Sequence, residues 1–422
     1  MTAPDPDGGG RLRIRDGVDG PILADVPAAS LSDDAPLYDR PRCAPAGAVP
    51  GTSDTTAPGV PTDCAADLLA LVRSARWVYR QYDHQLFLNT VVGPGSDAAL
   101  LRLAGPGLPA SRRGVALTTD SNPRACALDP RAGTALVLAE SVANLACVGA
   151  VPAAVVNCLN FGNPEHPEVM WQLSECIDGL AEACGALSLP VIGGNVSLYN
   201  ESGGADIDPT PVLGVLGLVD AVRARPPGLA WEEGDHIVLL GSRAAPDGSY
   251  PLSGTRWATE RRGHRTGTLP ALDFDTHGAV CAFVAGLVAA QVAAVDVAAV
   301  DVAAVDVEAD DLVHAVHDVS GGGLAVAVAE MAAQAGTGCV LEVTGGAAEL
   351  FTELPSRFVV ATAAPEGLCA RAAEAGVPAA VIGRAGGTRV VLGDAFDLVD
   401  LPLADVQAAF EGNLTSALAE SF

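Results

Sequence analysis

Lysine is absent from this 422-residue sequence, and all 24 of its basic residues are arginine. Aromatic residues make up only 4% of the chain and apolar residues 49%, so its cores must be built mainly from Ala, Val and Leu. The net charge of −27 argues against a surface for nucleic acid or for an acidic membrane. An anionic ligand must therefore be held by local loops rather than by the overall field of the protein.

The cysteine spacings that are typical of metal sites and redox motifs are also absent. The ten cysteines include no C-x-x-C pair and no His-spaced cluster, which argues against a zinc site, a redox motif or a disulfide framework. The N-terminus, MTAPDPDGGG, has no apolar signal region, and no charge-free run of about 18 apolar residues follows it. These absences predict a soluble cytoplasmic protein that does not enter a membrane.

The chain is long enough for two domains, each with its own core. Apolar strand patterns that alternate with amphipathic helices predict one α/β domain over 66–225 and a second over 226–405. The sequence AAVDV occurs three times in tandem at 293–307, where we predict a surface insert without a function. Three further segments are predicted outside these domains. Residues 1–41 contain a disordered tail and two short strands, residues 42–65 form a linker, and residues 406–422 form a C-terminal tail helix.

Two glycine- and asparagine-rich stretches stand out: NCLNFGNPEHPE (157–168) and PVIGGNVSLYNES (190–202). Each follows a predicted strand, and one helix length separates them. Gly194 lets a ligand approach the backbone, while Asn195 and Ser197 offer neutral oxygens suited to Mg²⁺ or phosphate. We predict two loops at the ends of adjacent strands that together form one wall of a phosphate or metal-phosphate pocket. Ordinary turns are the alternative.

A second candidate site is HDVSGGGLAVAVAEMA (317–332), in which three glycines precede a predicted helix. Free N–H groups and the helix dipole favour an anion at such a helix N-terminus. The alternative is that Asp318 only caps the helix before a glycine turn. Asp120, in TTDSNPR, ends a predicted strand, where it could bind a metal or cap the following turn.

These motifs resemble, in order, the second half of the PurL family of formylglycinamidine ribonucleotide (FGAM) synthases. The resemblance also covers ALTTDSNPR (116–124), AESVANLACVGAVP (139–152) and IDPTPVLGVLGLVD (207–220), and it runs from about Leu12 to Leu403. It implies an α/β fold in which a PurM-like N-terminal half-barrel domain is followed by a PurM-like C-terminal α/β domain.

The resemblance also implies roles for individual residues. Asn157 and Gly194 match positions that contact ATP, Asn195 matches a Mg²⁺ ligand, and Ser197 matches a substrate contact. The family more often has aspartate where Asn157 stands, and an amide can still contact ATP but brings no charge to a metal. A second, non-catalytic nucleotide and Mg²⁺ site is implied for Asp318, Ser320, Glu140 and Asn144, with Asp120 as a further candidate.

The family reaction is the ATP-dependent amidation of formylglycinamide ribonucleotide (FGAR) to FGAM, with ammonia derived from glutamine. It implies ATP and Mg²⁺ as cofactors, with a PurQ-like glutaminase and a small PurS-like subunit as partners. Residues 12–41 look like the end of the family's first half, so that half, with its catalytic histidine and acidic Mg²⁺ ligands, is expected to be missing. We therefore expect a chain that is inactive without that first half. The expected partner is a separate chain that carries it, or a second copy of this chain through self-association. The alternative is a non-catalytic nucleotide-binding or scaffolding remnant.

Overall fold

The computed structural model describes residues 3–4, 10–45, 57–107, 109, 111–294, 313–393 and 397–420. The chain divides into two compact units, Met1–Pro41 and Arg42–Phe422. The AAVDV repeat, from residue 295 onward, and residues 46–56 of the expected linker lie outside the described residues. The prediction of a surface insert at the repeat therefore stays a prediction.

The first unit contains a small antiparallel sheet. Its strands are β1 (Ala3–Pro4), β2 (Gly10–Arg15) and β3 (Ile22–Pro27), and a 3₁₀ turn follows at Ala28–Leu31. Asp25 accepts hydrogen bonds from Arg11 at 2.8 Å and from Arg13 at 2.7 Å, and these two guanidinium groups lower the pKa of its carboxyl. Because Ala3 and Pro4 pair with β2, the expectation of a disordered tail is wrong for these two residues.

The second unit begins with a six-stranded sheet. Its strands are β4 (Thr90–Val92), β5 (Ala99–Arg102), β6 (Gly114–Asp120), β7 (Val151–Asn160), β8 (Val191–Ser197) and β11 (Thr210–Val219), with a hairpin of β9 (Glu201–Ser202) and β10 (Ala205–Asp206) between the last two. Their order is β4-β5-β6-β11-β7-β8. The neighbours are antiparallel except for β7 and β8, which run parallel.

Two long helices cover one face of this sheet. The helices of this region are α1 (Cys64–Leu71), α2 (Arg76–Tyr79), α3 (Pro123–Leu128), α4 (Pro130–Ala146) and α5 (Pro167–Ala186), with a 3₁₀ turn at Leu86–Leu88. Helix α4 starts where the Asp129 side chain accepts from the Ala132 N–H at 2.9 Å. Leu138 and Leu145 of α4 are fully buried in one core with Leu213 and Val215 of β11. Helix α1 ends at Leu71, because Val72 is already extended.

The opposite face of the six-stranded sheet, which we call the open face, carries exposed apolar side chains. Leu117, Val156 and Leu218 are 45%, 43% and 46% exposed. Strand register places these three side chains on one face. Gly214, Leu216 and Leu218 alternate along one face of β11, and Val156 pairs with Gly214 while Leu117 pairs with Leu216. An apolar sheet face of this kind is typical of a surface that packs against a partner.

A seven-stranded sheet forms the rest of the unit. Its strands are β12 (His236–Leu240), β13 (Ala315–Asp318), β14 (Cys339–Glu342), β15 (Phe358–Thr362), β16 (Ala379–Ala385), β17 (Arg389–Gly393) and β18 (Asp397–Pro402), in the order β13-β15-β12-β16-β14-β17-β18. Its helical segments are a π-helical turn (Trp257–Arg261), α6 (Phe274–Ala294), α7 (Gly323–Ala335), α8 (Gly346–Phe351), α9 (Pro365–Glu374) and α10 (Leu403–Glu420).

Helix α6 is long and apolar enough over Phe274–Val292 to cross a membrane by length and composition. Its Val280, Val284 and Val288 are buried in the same core as the apolar side chains of α4. A core helix passes the same composition test, and the packing of α6 against α4 identifies it as one.

Candidate active site and nucleotide cleft

Both glycine- and asparagine-rich motifs begin inside strands. β7 and β8 are parallel neighbours, with Asn157 opposite Gly194 and Cys158 opposite Asn195. The prediction that the two motifs lie side by side is therefore confirmed. The prediction of loops is wrong for 157–160 and 193–197, because ladder hydrogen bonds with the neighbouring strand override the turn preference of Asn and Gly.

The side chains of Asn157 and Asn195 point to opposite faces of the sheet. A Cβ on Gly194 would lie 2.3 Å from Asn157 Oδ1, which places Asn157 and Gly194 on the face covered by α4 and α5. Asn195 Nδ2 donates to Cys158 Sγ at 3.7 Å on the open face. The prediction that Asn157 and Asn195 share one wall is therefore wrong, because successive side chains of a strand alternate between faces.

Strand β8 is nevertheless the outermost strand of its sheet. Gly194 and Asn195 are both exposed, and Ser197 follows Asn195 on the open face after one alternation. Asn195 and Ser197 thus share the open face at this edge, whereas Asn157 and Gly194 lie on the other face of the sheet.

The side chain of Asn200 holds Ser197 in place. Ser197 Oγ donates to Asn200 Oδ1 at 3.3 Å, and Asn200 Nδ2 donates to the Ser197 carbonyl at 2.9 Å. Asn160, which the sequence did not single out, donates to the carbonyls of Cys158 and Thr210 at 3.0 and 3.1 Å. The open face therefore ends in a cluster of neutral polar side chains above an apolar surface.

The residues predicted for a second nucleotide and Mg²⁺ site come together at a different place. Asn144 Nδ2 donates to Asp120 Oδ1 at 2.9 Å, and Glu140 interacts with Ser320 by a hydrogen bond and with Asp318 by charge. Asp120 ends β6, Glu140 and Asn144 share α4, and Asp318 ends β13. The two residues of α4 and the two residues at the strand ends therefore lie together, as the sequence indicated.

Both capping alternatives are wrong. The N-cap of α7 is Gly322, without a side-chain hydrogen bond, so Asp318 does not cap that helix. The turn after Asp120 is capped by Asn122, whose side chain accepts from the Ala125 N–H at 3.1 Å. Asp120 instead accepts from Ser141 Oγ at 2.7 Å, inside the cluster.

Asp97 and Glu330 join this cluster, and the sequence did not indicate either. His317 Nδ1 lies 2.5 Å from Asp97 Oδ1, and His317 Nε2 lies 3.3 Å from Glu330 Oε2. Asp97, His317 and Asp318 bring their ligand atoms within 4.8 Å of one another. His317 thus lies between the carboxyls of Asp97 and Glu330. Asp97 and His317 are 220 positions apart, so no local pattern could reveal the contact.

Burial controls the protonation of this acidic cluster. It raises the pKa of Asp318 to about 8 and of Asp120 to about 6. It also raises the pKa of Glu140 well above its usual range, and the nearby Asp120 and Asp318 add to this shift. Burial alone would lower the pKa of His317, but the nearby carboxyls of Asp97, Glu330 and Asp318 together outweigh it and raise that pKa. Binding of a cation would therefore displace protons from these carboxyls. Their oxygens suit a hard divalent ion such as Mg²⁺.

A cleft of about 710 Å³ is lined by most of this cluster, namely Asp97, Asp120, Asn144, His317, Asp318 and Glu330. Arg73, Arg76 and Arg80 line the same cleft beside Asp97 and Asp318. Glu140 instead lines a neighbouring pocket, together with Asp318 and Ser320. Ligand pockets are usually about 300–1,000 Å³. Arginines beside a carboxylate cluster can bind a phosphate chain and its counter-cation together, even in a strongly acidic chain.

Asp318→Asn should flatten the dependence of stability on pH. The folded-state pKa of Asp318 is above its ordinary value of 3.8, so between that pH and about 8 the folded chain keeps a proton that the unfolded chain has lost. The free energy of unfolding therefore falls as pH rises through this window. Asparagine cannot ionise, so the variant should gain in Tm over the natural chain as pH rises from 5 to about 8.

The matched control is Asp247→Asn, at an exposed carboxyl whose pKa is lowered by a hydrogen bond from Ser249. Its Tm difference from the natural chain should be small and constant over the same window. Thermal melts across the pH series measure both variants. Parallel pH profiles for Asp318→Asn and the natural chain would contradict the prediction.

Comparison with known proteins agrees with this architecture. Residues 95–219 match the AIR synthase related protein N-terminal domain, and residues 232–393 match the corresponding C-terminal domain. The phosphoribosylformylglycinamidine synthase subunit PurL of a Parafrankia species is 40% identical to this chain. The match spans 96% of this chain and 50% of that protein. The PurL of Moorella thermoacetica is also 40% identical, with coverages of 91% and 50%. The chain spans about half the length of the curated relatives it matches.

Two solved structures share the fold. Thermotoga maritima PurL complexed with FGAR has a TM-score of 0.60 at 15% identity, over 83% of this chain and 54% of that one. The same protein complexed with ATP has a TM-score of 0.53 at 21% identity, over 89% and 48%. The expected PurM-like α/β fold is thereby confirmed.

Proposed function

Because this chain belongs to the AIR synthase related family and is a relative of PurL subunits over about half their length, we propose that it is part of an FGAM synthase. The proposed reaction is the amidation of FGAR to FGAM in de novo purine biosynthesis. ATP phosphorylates the formamide oxygen of FGAR, and ammonia then displaces the phosphate. The observation that carries the proposal is the polar end of the open face, where Asn195 and Ser197 lie on the edge strand β8.

In this proposal each of the four residues has one task. Asn195 supplies a neutral oxygen to Mg²⁺, and Ser197 contacts FGAR. Asn157 and Gly194 contact ATP around the edge of β8. Bound Mg²⁺ would neutralise charge on the transferring phosphoryl group. The catalytic histidine and the acidic Mg²⁺ ligands would come from a first half supplied by another chain.

The proposed partners follow from the same family. A PurQ-like glutaminase would supply ammonia, and a PurS-like subunit would join the complex in the cytoplasm. The apolar open face is the proposed contact for the first half of PurL, or for a second copy of this chain in its absence. Both occupants would remove the exposed side chains of Leu117, Val156 and Leu218 from water.

The arginine-lined cleft is proposed as the second nucleotide and Mg²⁺ site. Asp97, Asp120, Glu140, Asn144 and Asp318 provide its oxygen ligands in this proposal. Arg73, Arg76 and Arg80 also line the cleft and would bind a phosphate chain there. A non-catalytic nucleotide-binding protein would depend on this cleft alone and would not need the open face.

Val156→Asp should prevent assembly with the first half of a PurL relative. Assembly would bury the new carboxylate against apolar surface without a partner, at a large desolvation cost. Co-expression followed by size-exclusion chromatography measures the complex. The matched control is Val340→Asp, which places the same charge on β14 at a valine that is 59% exposed. Equal complex formation by both variants would overturn the role of the open face.

A further inference from the structure

The loop 161–166 is joined to the segment that carries Ser197. The Phe161 N–H donates to the Ser197 carbonyl at 3.0 Å, and the Tyr199 N–H donates to the Gly162 carbonyl at 2.8 Å. The Asn200 N–H returns to the Phe161 carbonyl at 3.1 Å. These bonds connect the end of β7 with the end of β8, so the placement of Ser197 depends on the position of the loop.

Asp206 holds this loop from the other side. Its Oδ1 accepts from the Asn163 N–H at 2.7 Å, and its Oδ2 lies 2.7 Å from His166 Nδ1. A Cβ on Gly162 would lie 2.3 Å from Asp206 Oδ1, so the backbone approaches the carboxylate at a distance that only glycine permits. One carboxylate on β10 therefore contacts the loop at 162, 163 and 166.

Both hydrogen bonds involve charge. The hydrogen bond from the Asn163 N–H lowers the pKa of Asp206, and the contact with His166 lowers it further. The hydrogen bond to Asp206 in turn raises the pKa of His166. The Asp206 carboxylate is thus the acceptor for both the Asn163 N–H and His166 Nδ1. Hydrogen bonds of this kind are shorter and stronger than neutral ones. Because the pair is close to solvent, we expect its effect on local geometry to exceed its effect on global stability.

We propose that Asp206 is a positioning residue for the FGAR-binding end of the site. It fixes the loop 161–166, and through the backbone bonds at Phe161 and Gly162 it fixes Ser197. Asp206 acts through the loop and does not touch substrate. This inference rests on the proposed function, because it assumes that Ser197 contacts FGAR.

Asp208 offers a matched control two positions further along. It bears the same charge, but it pairs with Arg265 at 2.5 Å instead of with the loop. Asp206→Asn and Asp208→Asn therefore make the same change of charge in the same segment. Only Asp206→Asn weakens the contacts of the loop.

The test uses this chain reconstituted with the first half of a PurL relative. Asp206→Asn should raise the KM for FGAR roughly 10-fold to 10²-fold, the order expected for a small misplacement of a binding group, and should leave kcat within about twofold. Asp208→Asn should leave both values unchanged. In hydrogen exchange on this chain alone, the Asn163 amide should lose protection in Asp206→Asn and keep it in Asp208→Asn.

Ser197→Ala separates the two ways in which the test can fail. If Ser197→Ala raises the KM for FGAR and Asp206→Asn does not, the positioning role is overturned while the proposed function stands. If Ser197→Ala leaves this KM unchanged, the substrate assignment of the proposed function is overturned. A fall in kcat with an unchanged KM in Asp206→Asn would also overturn the positioning role.

Discussion

Residues 1–422 alone should show no FGAM synthase turnover with ATP, FGAR and ammonia, and a separate chain carrying the first half of a PurL should restore it. The family resemblance assigns the catalytic histidine and the acidic Mg²⁺ ligands to that first half. Loss of general acid–base catalysis alone costs about 10²–10⁴ in rate. Loss of most of the metal and substrate contacts as well should bring turnover below detection. ADP release and FGAM formation, measured with and without the second chain, check this result.

The restored activity should depend on Asn195. Asn195→Ala removes a neutral oxygen from the proposed Mg²⁺ site, so turnover should fall sharply and half-maximal activity should require more Mg²⁺. The matched control is Asn89→Ala, next to β4 at the opposite edge of the same sheet, where the amide bonds the Ala104 carbonyl at 2.6 Å. Robust turnover by residues 1–422 alone would overturn the proposal that a first half is required.

Gly323→Ala should be severely destabilising. Gly323 has a φ of +72°, and a Cβ there would lie 2.8 Å from the Leu350 carbonyl oxygen, the Phe351 carbonyl carbon and the Thr352 carbonyl oxygen. The left-handed backbone costs roughly 1–2 kcal/mol for alanine. The clash is with backbone, so relief requires the chain after α8 to move away from the start of α7. We expect a total loss of more than about 3 kcal/mol in the free energy of unfolding.

Gly336→Ala provides the comparison. Gly336 ends α7 with a φ of +67°, but a Cβ there would meet nothing within 4 Å. Its substitution should therefore cost only the backbone term, roughly 1–2 kcal/mol. Denaturant unfolding of both variants measures the difference. Equal losses would show that the close approach at Gly323 relaxes freely.

The glycine at 323 also connects stability with the acidic cluster. The loop from Ser320 to Gly322 precedes α7, and the Gly322 N–H donates to Glu353 Oε1 at 2.7 Å. A shift of α7 would move Glu330, which bonds His317. We therefore expect destabilisation at Gly323 to be accompanied by weaker Mg²⁺ binding in the cleft.

Local sequence determined the helices and the general layout. The helix length expected between the two glycine- and asparagine-rich motifs is helix α5, Pro167–Ala186, and a proline at its first position is a local start signal. The glycine run before α7 was also evident from neighbouring residues. The motifs that resemble PurL indicated the fold class without any knowledge of the pairing of strands.

Tertiary structure decided how the site residues are arranged. Asparagine and glycine have low strand propensity, yet 157–160 and 193–197 are strands because each completes a ladder with a neighbour distant in sequence. The same pairing set Asn157 and Asn195 on opposite faces, since side chains alternate along a strand. Asp97 contacts His317 only because folding brings the segment before β5 next to β13, although the two residues are 220 positions apart. Local patterns encode helix starts and turns, whereas faces and long-range contacts arise from strand register and burial, which no short segment contains.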